Sequence, residues 1–282
     1  MGETGYCGTD ADYSISSITI HKGEEPVISG PTGICNIFFT GCNLKCIYCQ
    51  NYQISRNDSL KKPWQQEKII VQIKAILKKG VKAVGFVSSS HVVPQVISII
   101  DALHKTGLYP ITVYNTNGYE KPETIKKLEE LIDVFLPDFK YISPSLSKAY
   151  SDAPDYFHFA AGSIKEMYRQ KGSHLFVSDE GQAENGLLIR HLVLPGHSNE
   201  SKKVLKYIAE EISPGVNLSL MSQYFPADKA VNHKTLNRKL YLEEYESVVE
   251  EMYRLGFRNG WVQEMESPDH YKPDFKKDEP FE

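Results

Sequence analysis

Long hydrophobic runs are missing from this 282-residue chain. No apolar stretch approaches the roughly 18 residues that a membrane-spanning helix needs. The N-terminal segment is polar and acidic (MGETGYCGTDADYS), without the basic and apolar regions of a secretory signal peptide. We therefore expect a cytoplasmic protein with no membrane partner.

An excess of positive charge is also missing. The chain has 32 Lys and Arg residues against 36 Asp and Glu residues, which gives a formal net charge of -4. This balance argues against a dominant nucleic-acid-binding surface. Apolar residues make up 41% of the chain and charged residues 24%. These fractions are typical of a folded globular protein and exclude a disordered or collagen-like chain.

Cysteine is scarce and confined to one end of the chain, since none follows Cys49. An odd number of cysteines without a signal peptide does not fit a disulfide framework. The pattern instead predicts a metal site in a reducing compartment. The five cysteines are Cys7, Cys35, Cys42, Cys46 and Cys49.

A β-then-α rhythm is the main organisational signal. Ile69, Ile73 and Ile76, for example, fall at helical spacing, and Gly80 follows them as a helix stop. The predicted strands are 35–40, 82–87, 111–114, 133–136, 187–194 and 216–221. The predicted helices are 63–79, 93–105, 121–132, 157–170, 200–212 and 241–255.

Six successive β–α units predict an α/β fold, because parallel strands need long crossovers to return over the sheet. We expect an incomplete (β/α)6 barrel of the TIM type. The predicted segments are an N-terminal extension (1–29), the core barrel (30–230), and a C-terminal helix and tail packed on the barrel (231–282). Within the last segment, the acidic stretch 267–282 is predicted to be an extended strap or disordered.

Polar, glycine-rich or proline-rich segments follow all six predicted strands. In barrels of this type the reacting groups collect at the C-terminal ends of the strands. We therefore expect these segments to meet at one mouth of the barrel. In chain order they are GCNLKCIYCQN, SSSH, NTNG, PDFK, PGHS and SQYFP.

The spacing of Cys42, Cys46 and Cys49 predicts a [4Fe–4S] cluster with one iron left open to a ligand. Two alternatives remain open: a zinc site, or a fully ligated cluster with Cys35 as the fourth ligand. Either would make the protein a non-catalytic metal-binding scaffold or a ligand-sensing barrel. Against them, zinc elements usually come in pairs, and no second element follows Cys49. Cys35 lies in an apolar strand, where a buried thiol is the commoner fate.

The segment CNLKCIYC resembles the CxxxCxxC motif of the radical S-adenosylmethionine (radical SAM) enzymes. Further segments resemble the branch of pyruvate formate-lyase activating enzyme, and within it a largely uncharacterised group of activase-like proteins. The matching segments extend over about 30–226, most of the chain, and none of them names a substrate. Beyond the cysteine region they are YNTNGYEKPETIKKL, DVFLPDFKY, LIRHLVLPGH and LSLMSQYFPA.

The resemblance implies an oxidoreductase in which S-adenosylmethionine binds the open iron through its amino and carboxylate groups. One-electron reduction then gives a 5′-deoxyadenosyl radical that abstracts hydrogen from a substrate. The implied partners are a reductant such as flavodoxin or ferredoxin, and a hydrogen donor. That donor is a glycyl radical enzyme, a peptide or a small molecule.

The resemblance also implies roles for single residues near the cysteine motif. Cys42, Cys46 and Cys49 match the cluster ligands. Tyr48 is the aromatic residue before the third cysteine and Asn51 matches an asparagine that lies against the cofactor. Both are expected to bind S-adenosylmethionine.

Five later residues match positions near the methionyl group of the cofactor. Asn115 and Thr116 match an Asp-Thr pair, where a monovalent cation also binds; asparagine weakens that cation site. Asp138 and Lys140 match a DxK pair, and Arg190 matches an arginine at the same end. Each of the last three residues also has a purely structural interpretation. Asp138 and Lys140 fit a solvated strand end, and Arg190 fits an ion pair at the barrel floor.

One segment departs from the family pattern. Most radical SAM enzymes carry a Gly-Gly-Glu element after the second strand, which meets the cofactor's amino group. This chain has Ser88, Ser89, Ser90 and His91 there. A backbone carbonyl and the serine hydroxyls still offer hydrogen-bond acceptors for that group.

Overall fold

The computed structural model describes residues 4–56, 62–265, 273–277 and 280–281. Its main feature is a ten-stranded sheet in the spatial order β10-β9-β8-β6-β5-β4-β2-β1-β3, with β7 paired to β8. The strands are β1 (Tyr13–His21), β2 (Ile34–Phe39), β3 (Lys62–Trp64), β4 (Ala83–Val87), β5 (Ile111–Thr116), β6 (Val134–Pro137), β7 (Phe176–Val177), β8 (Ala183–Leu192), β9 (Asn217–Met221) and β10 (Gly260–Val262).

The sheet is largely parallel. Strands β2, β4, β5, β6, β8 and β9 are parallel neighbours in that order, and β10 adds a seventh parallel strand beside β9. Among the described residues the edge strands β3 and β10 do not pair, so the sheet is not closed. The predicted α/β fold with an incomplete (β/α)6 barrel is confirmed, since all six predicted strands are present.

Helices connect the parallel strands. In α3, the buried side chains of Ile69, Ile70, Ile73 and Ile76 form the stripe that the spacing predicts. Among the described residues, no helix has both the length and the apolar character needed to cross a membrane. The helices are α1 (Pro26–Ser29), α2 (Tyr52–Ser55), α3 (Gln66–Leu77), α4 (Val93–Lys105), α5 (Pro122–Lys126), α6 (Pro144–Ser151), α7 (Tyr156–Lys171), α8 (Ser198–Glu211) and α9 (Leu242–Arg254).

Two predicted helices differ from the structure at one end. The helix predicted to begin at Pro63 begins at Gln66, because Pro63 belongs to the edge strand β3, where a missing N–H is tolerated. The helix predicted over 121–132 ends at Lys126. Beyond it, Leu128 and Leu131 donate to carbonyls three residues earlier, so the chain continues in tight turns before β6.

The N-terminal strand β1 was not predicted. It pairs antiparallel with β2 and is buried on both faces along most of its length, so it lacks the clean alternation that marks a half-buried strand. The segment after it carries α1, whose Ile28 is 1% exposed. Thus residues within the predicted extension 1–29 belong to the same sheet as the barrel strands.

Two hydrophobic cores lie on the two faces of the sheet. The larger one packs between the sheet and the helices. The smaller one fills the inside of the incomplete barrel and includes the first residues of β2, β4 and β6. The inside is therefore closed at the N-terminal ends of the strands and available for a site at their C-terminal ends. The smaller core comprises Ile28, Ile34, Ala83, Val113, Val134, Leu136, Ala183 and Leu188.

The C-terminal segment packs on the barrel through α9, which contacts α8, and through β10, which pairs with β9. Of the predicted tail 267–282, the described residues place Phe275 and Phe281 against Phe38 of β2. The other part of that predicted tail, 267–272 with 278–279 and 282, lies outside the described residues.

Ile28 closes the inside of the barrel, so its truncation should destabilise the whole domain. We expect Ile28→Ala to lower the free energy of unfolding by about 2–5 kcal/mol, because it leaves a cavity that the surrounding side chains fill only in part. The control is Val71→Ala on α3, where the side chain is 65% exposed and the expected change is below about 0.5 kcal/mol. Urea unfolding of both variants tests this; equal effects would contradict the packing described.

Candidate functional site

A cavity of about 200 Å³ lies at the C-terminal ends of the parallel strands. Five of the six polar segments predicted to meet at this mouth line it. The exception is the segment after β8, where His197 hydrogen-bonds Tyr150 and the N–H of Gly196 donates to Glu244. The lining includes Cys42, Cys46, Tyr48, Cys49, Asn51, Ser88, Asn115, Asn117, Asp138, Lys140, Arg190 and Gln223.

The cysteine loop is shaped by a close backbone contact. Gly41, just before Cys42, has a φ of 78°, and a Cβ there would lie 2.6 Å from the carbonyl oxygen of Cys7. The same carbonyl accepts the N–H of Cys42. Glycine is therefore required at this turn, which leads the chain from β2 into the motif.

Each motif sulfur has a hydrogen-bonding neighbour of its own. The N–H of Leu44 lies 3.4 Å from Cys42 Sγ, and the amide of Asn117 lies 3.5 Å from it. Cys46 Sγ lies 3.0 Å from Ser151 Oγ and Cys49 Sγ lies 3.4 Å from Ser55 Oγ. Donors aimed at sulfur stabilise thiolates and tune the clusters they bind. The serine, Leu44 and Asn117 contacts were not predicted, because no spacing rule links them to the motif.

The protein environment disfavours the thiolate forms of Cys42 and Cys49. Burial and the neighbouring thiols raise the pKa of Cys42 to about 12 and also raise the pKa of Cys49. All three thiols are free. The donor set fits an iron–sulfur cluster, which uses thiolate ligands, each bound to a different iron. Within the described residues, no three His, Cys, Asp or Glu side chains are grouped as ligands of a single metal ion.

The other two cysteines do not line the cavity. Cys35 packs in the core between sheet and helices, where burial raises its pKa to about 12. The thiol of Cys7 contacts the hydroxyl of Thr9 at 3.1 Å. The structure therefore does not bring Cys35 to the motif cysteines, as the fully ligated alternative requires.

Tyr48 and Asn51, which the resemblance assigns to cofactor binding, both line the cavity. The buried hydroxyl of Tyr48 hydrogen-bonds that of Tyr141, which contacts Ser151 Oγ at 2.9 Å. Because Ser151 also contacts Cys46, a chain of hydroxyls joins Tyr48 to the motif sulfur. Asn51 lies at the N-terminus of α2.

Arg190 is the centre of a charged group that lines the same cavity as the cysteines. Its guanidinium donates to Asp138 Oδ1 at 3.2 Å, to Asn115 Oδ1 at 2.9 Å and to Glu24 Oε2 at 2.9 Å. Lys140 Nζ contacts Asp138 Oδ2 at 2.7 Å. Burial opposes ionisation of Asp138, but the charges of Lys140 and Arg190 outweigh it and hold the pKa of Asp138 below its usual value.

Glu24 is a site residue that the sequence analysis missed. Besides Arg190, it accepts hydrogen bonds from Asn36 at 2.9 Å and from Asn115 at 3.3 Å. It lies in the segment between β1 and α1, far along the chain from Arg190 and outside any motif. The guanidinium thus fills the space between Asn115 and Asp138, where the sequence analysis considered a monovalent cation.

Thr116 is the predicted cofactor residue that does not line the cavity. Successive residues of a strand face opposite sides, so Asn115 faces the cavity and Thr116 the other side of β5. Its hydroxyl contacts Ser90 at 2.8 Å and hydrogen-bonds the buried Glu120. Thr116 therefore fixes the loop after β4 rather than lining the cavity itself.

In the segment that stands in place of Gly-Gly-Glu, Ser88 has a backbone conformation that is typical of glycine. Ser88 lines the cavity with a φ of 54°, in the left-handed region that residues other than glycine rarely adopt. Ser89 is buried and donates to the carbonyl of Phe86, while His91 contacts the carbonyl of Thr40. The loop is thus held in place by its own side chains.

Comparison with known proteins identifies the family. Residues 36–208 match the profile described as the Radical SAM superfamily. This chain belongs to the radical SAM superfamily. The resemblance inferred from CNLKCIYC is thereby confirmed at that level.

The proteins similar to this chain include a relative in sequence and two solved structures. This radical SAM protein is 31% identical over 264 residues to an uncharacterised protein of Methanocaldococcus jannaschii, covering 90% of this chain and 71% of the relative. HydG, a maturase of the [FeFe]-hydrogenase, shares the fold at a TM-score of 0.52 and 11% identity, over 77% of this chain and 48% of HydG. A domain of pyruvate-formate lyase-activating enzyme from Bacteroides vulgatus gives a TM-score of 0.42 at 13% identity, over 61% of this chain and 93% of that domain.

His191 supports the strand end that carries Asp138 and Lys140 in this radical SAM protein. Its ring nitrogens contact the carbonyl of Phe139 at 2.6 Å and the hydroxyl of Ser201 at 2.8 Å. Burial lowers the pKa of His191 to about 4. The imidazole is therefore neutral in the folded protein at neutral pH.

Stability should depend on pH through His191. The folded pKa of about 4 lies below the ordinary value of 6.5, so the unfolded chain binds the proton first as the pH falls. Its stabilising contribution is complete above pH 6.5 and is lost as the pH falls towards 4, by up to about 3 kcal/mol. Urea unfolding at several pH values should show a shallower dependence for His191→Gln, whereas the exposed His174→Gln should match the wild type. Identical curves for His191→Gln and the wild type would contradict this.

Proposed function

We propose that this protein is a radical SAM enzyme that binds a [4Fe–4S] cluster through Cys42, Cys46 and Cys49. The proposal is supported most directly by one arrangement: the three motif thiols and the charged group of Asp138, Lys140 and Arg190 line the same cavity. When bound, the cluster supplies an electron to S-adenosylmethionine, which releases methionine and a 5′-deoxyadenosyl radical for hydrogen abstraction. A reducing, cytoplasmic setting belongs to the proposal because all five cysteines are free.

The cavity offers groups for both ends of an amino-acid moiety. Lys140 and Arg190 present positive charge to a carboxylate, and Arg190 is always charged. Asp138 and the carbonyl of Ser88 present acceptors to an ammonium group. Asn51 and Tyr48 line the same space. These are the residues proposed to bind and orient S-adenosylmethionine, with Asn115 and Thr116 fixing Arg190 and the loop after β4.

The apolar lining limits access of water. Phe38, Leu192 and Met221 line the cavity beside the polar groups. Exclusion of water strengthens the fixed charges of Lys140 and Arg190 and protects a reactive radical from side reactions. A flavodoxin or ferredoxin is the proposed reductant. A glycyl radical enzyme or peptide as hydrogen donor rests on the resemblance to the activating-enzyme branch alone.

Cluster formation should need the three motif cysteines and neither of the other two. Anaerobically reconstituted wild type should contain about four irons with acid-labile sulfide, and with dithionite and S-adenosylmethionine it should yield 5′-deoxyadenosine. Cys46→Ala should lose both properties. Cys7→Ser and Cys35→Ala are matched controls and should keep them. One zinc without iron, or a cluster lost in Cys35→Ala with the fold intact, would favour the non-catalytic scaffold instead.

S-adenosylmethionine binding should not require a monovalent metal cation, because the Arg190 guanidinium already lies between Asn115 and Asp138. Replacing Na⁺ and K⁺ by tetramethylammonium should leave the Kd of the cluster-loaded enzyme within about twofold. In Arg190→Gln the Kd should rise about tenfold or more, since charge-assisted hydrogen bonds contribute about 1.5–3 kcal/mol. Added Na⁺ or K⁺ should recover part of that loss. A wild type that needs either ion would contradict the assignment.

A further inference from the structure

A second cavity of about 320 Å³ lies beside the first, between the segment before α1 and strands β9 and β10. We call it the lateral cavity, because β10 is an edge of the unclosed sheet. It shares Gly23, Glu24, Arg190, Met221 and Gln223 with the first cavity. The two cavities are therefore contiguous and meet at Arg190. A ligand in the lateral cavity would lie on the side of Arg190 away from the cysteines.

Glu25 is the unsatisfied group of this cavity. Its side chain is 8% exposed, and among the described residues its Oε2 accepts no hydrogen bond. The nearest cationic atom, Arg190 Nη1, lies 3.8 Å away, beyond hydrogen-bond distance. Burial and the neighbouring Glu24 raise the pKa of the Glu25 carboxyl more than the charge of Arg190 and a hydrogen bond from Ser219 lower it. A buried carboxylate oxygen without a donor is unfavourable.

Arg190 cannot satisfy Glu25 without leaving its other partners. Its Nε donates to Asp138, its Nη1 to Glu24 and its Nη2 to Asn115. By contrast, both oxygens of Glu24 accept hydrogen bonds. An oxygen without a hydrogen-bond donor is therefore particular to Glu25 and is not shared by its neighbour Glu24.

The charges around the two cavities do not balance. Glu24, Glu25 and Asp138 provide three carboxylates, while Arg190 and Lys140 provide two cations. An anionic ligand would therefore meet carboxylates on one wall. A cationic group would neutralise the excess and supply the missing donor.

We propose that the lateral cavity binds the alkylammonium group of the substrate against the carboxylate of Glu25, with the half-buried ring of Trp261 also lining the cavity. An ammonium has three N–H donors and no acceptor, which suits a carboxylate, and an aromatic ring favours a nearby cation. This proposal rests on the proposed function, because the ammonium compound is the substrate from which the radical SAM enzyme would abstract hydrogen. The ammonium comes either from a small molecule or from a lysine side chain of a peptide.

The test is anaerobic calorimetry on cluster-reconstituted, full-length protein. The probes are butylammonium chloride, its neutral counterpart butan-1-ol, and Nα-acetyl-lysine methylamide as a peptide lysine. We expect saturable binding of at least one ammonium probe and at least about tenfold weaker binding of butan-1-ol, because only the ammonium makes a charge-assisted bond. The tighter of the two ammonium probes identifies the source. Binding of butan-1-ol as tight as that of butylammonium would overturn the proposal.

Two variants locate the binding. Glu25→Gln keeps the shape of the side chain and should weaken ammonium binding about tenfold or more. Glu180→Gln, which removes a carboxylate that is 59% exposed, is the matched control and should leave binding unchanged. If Glu25→Gln does not fold, Trp261→Leu tests the aromatic part of the lining and should also weaken binding. Unchanged binding in a folded Glu25→Gln variant, or in Trp261→Leu where that variant is needed, would overturn the proposal.

The same preparation separates this proposal from the proposed function. Each batch is assayed for 5′-deoxyadenosine with dithionite and S-adenosylmethionine but without an ammonium probe. A batch that forms 5′-deoxyadenosine but binds no ammonium probe overturns only the lateral-cavity proposal. A batch that binds butylammonium at Glu25 but forms no 5′-deoxyadenosine overturns the proposed function and leaves the ammonium site standing.

Discussion

The guanidinium of Arg190 holds together the polar half of the barrel interior. Its three hydrogen-bond partners come from three different parts of the chain: Glu24 before α1, Asn115 on β5 and Asp138 after β6. A charge buried in this way is stable only while its partners stay in place, because desolvating an unpaired ion costs several kcal/mol. The N-terminal segment is therefore anchored inside the barrel by an ion pair, and the floor formed around Ile28 is continuous with the site above it.

Lys140 connects this charged group to the cysteine loop. Burial disfavours its ammonium form, but Asp138 and Cys46 outweigh that effect and raise the pKa of Lys140. The cavity therefore has two unlike walls. On one, burial raises the pKa of the Cys42 and Cys49 thiols; on the other, the charges of Asp138, Lys140 and Arg190 line the cavity. An amino acid carrying both charges fits between such walls better than an apolar ligand does, since its carboxylate and ammonium groups find different partners.

How far the sequence predicts this arrangement depends on whether the interactions are local. The cysteine spacing and the polar segments after the strands follow from local patterns, which is why Cys42 and the segment of Asp138 were predicted at the mouth. Arg190 was assigned by the family resemblance and not by a local pattern. Glu24 and Ser151 act through contacts with residues far away in the chain, and no spacing rule connects them to their partners. Thr116 shows a different limit of prediction from the sequence. The resemblance assigned it together with Asn115, although alternation along a strand places only one of two neighbours on the inner face.

The unclosed sheet gives the site its second approach. A closed eight-stranded barrel is filled by side chains from all its strands, and its ligands reach it from the mouth. Here β10 ends the sheet beside the segment before α1, and the lateral cavity opens between them. Because Glu24 and Arg190 line both cavities, a group entering from the side meets the same ion pair that faces the cysteines. The wall common to the two cavities is formed by Gly23, Glu24, Arg190, Met221 and Gln223.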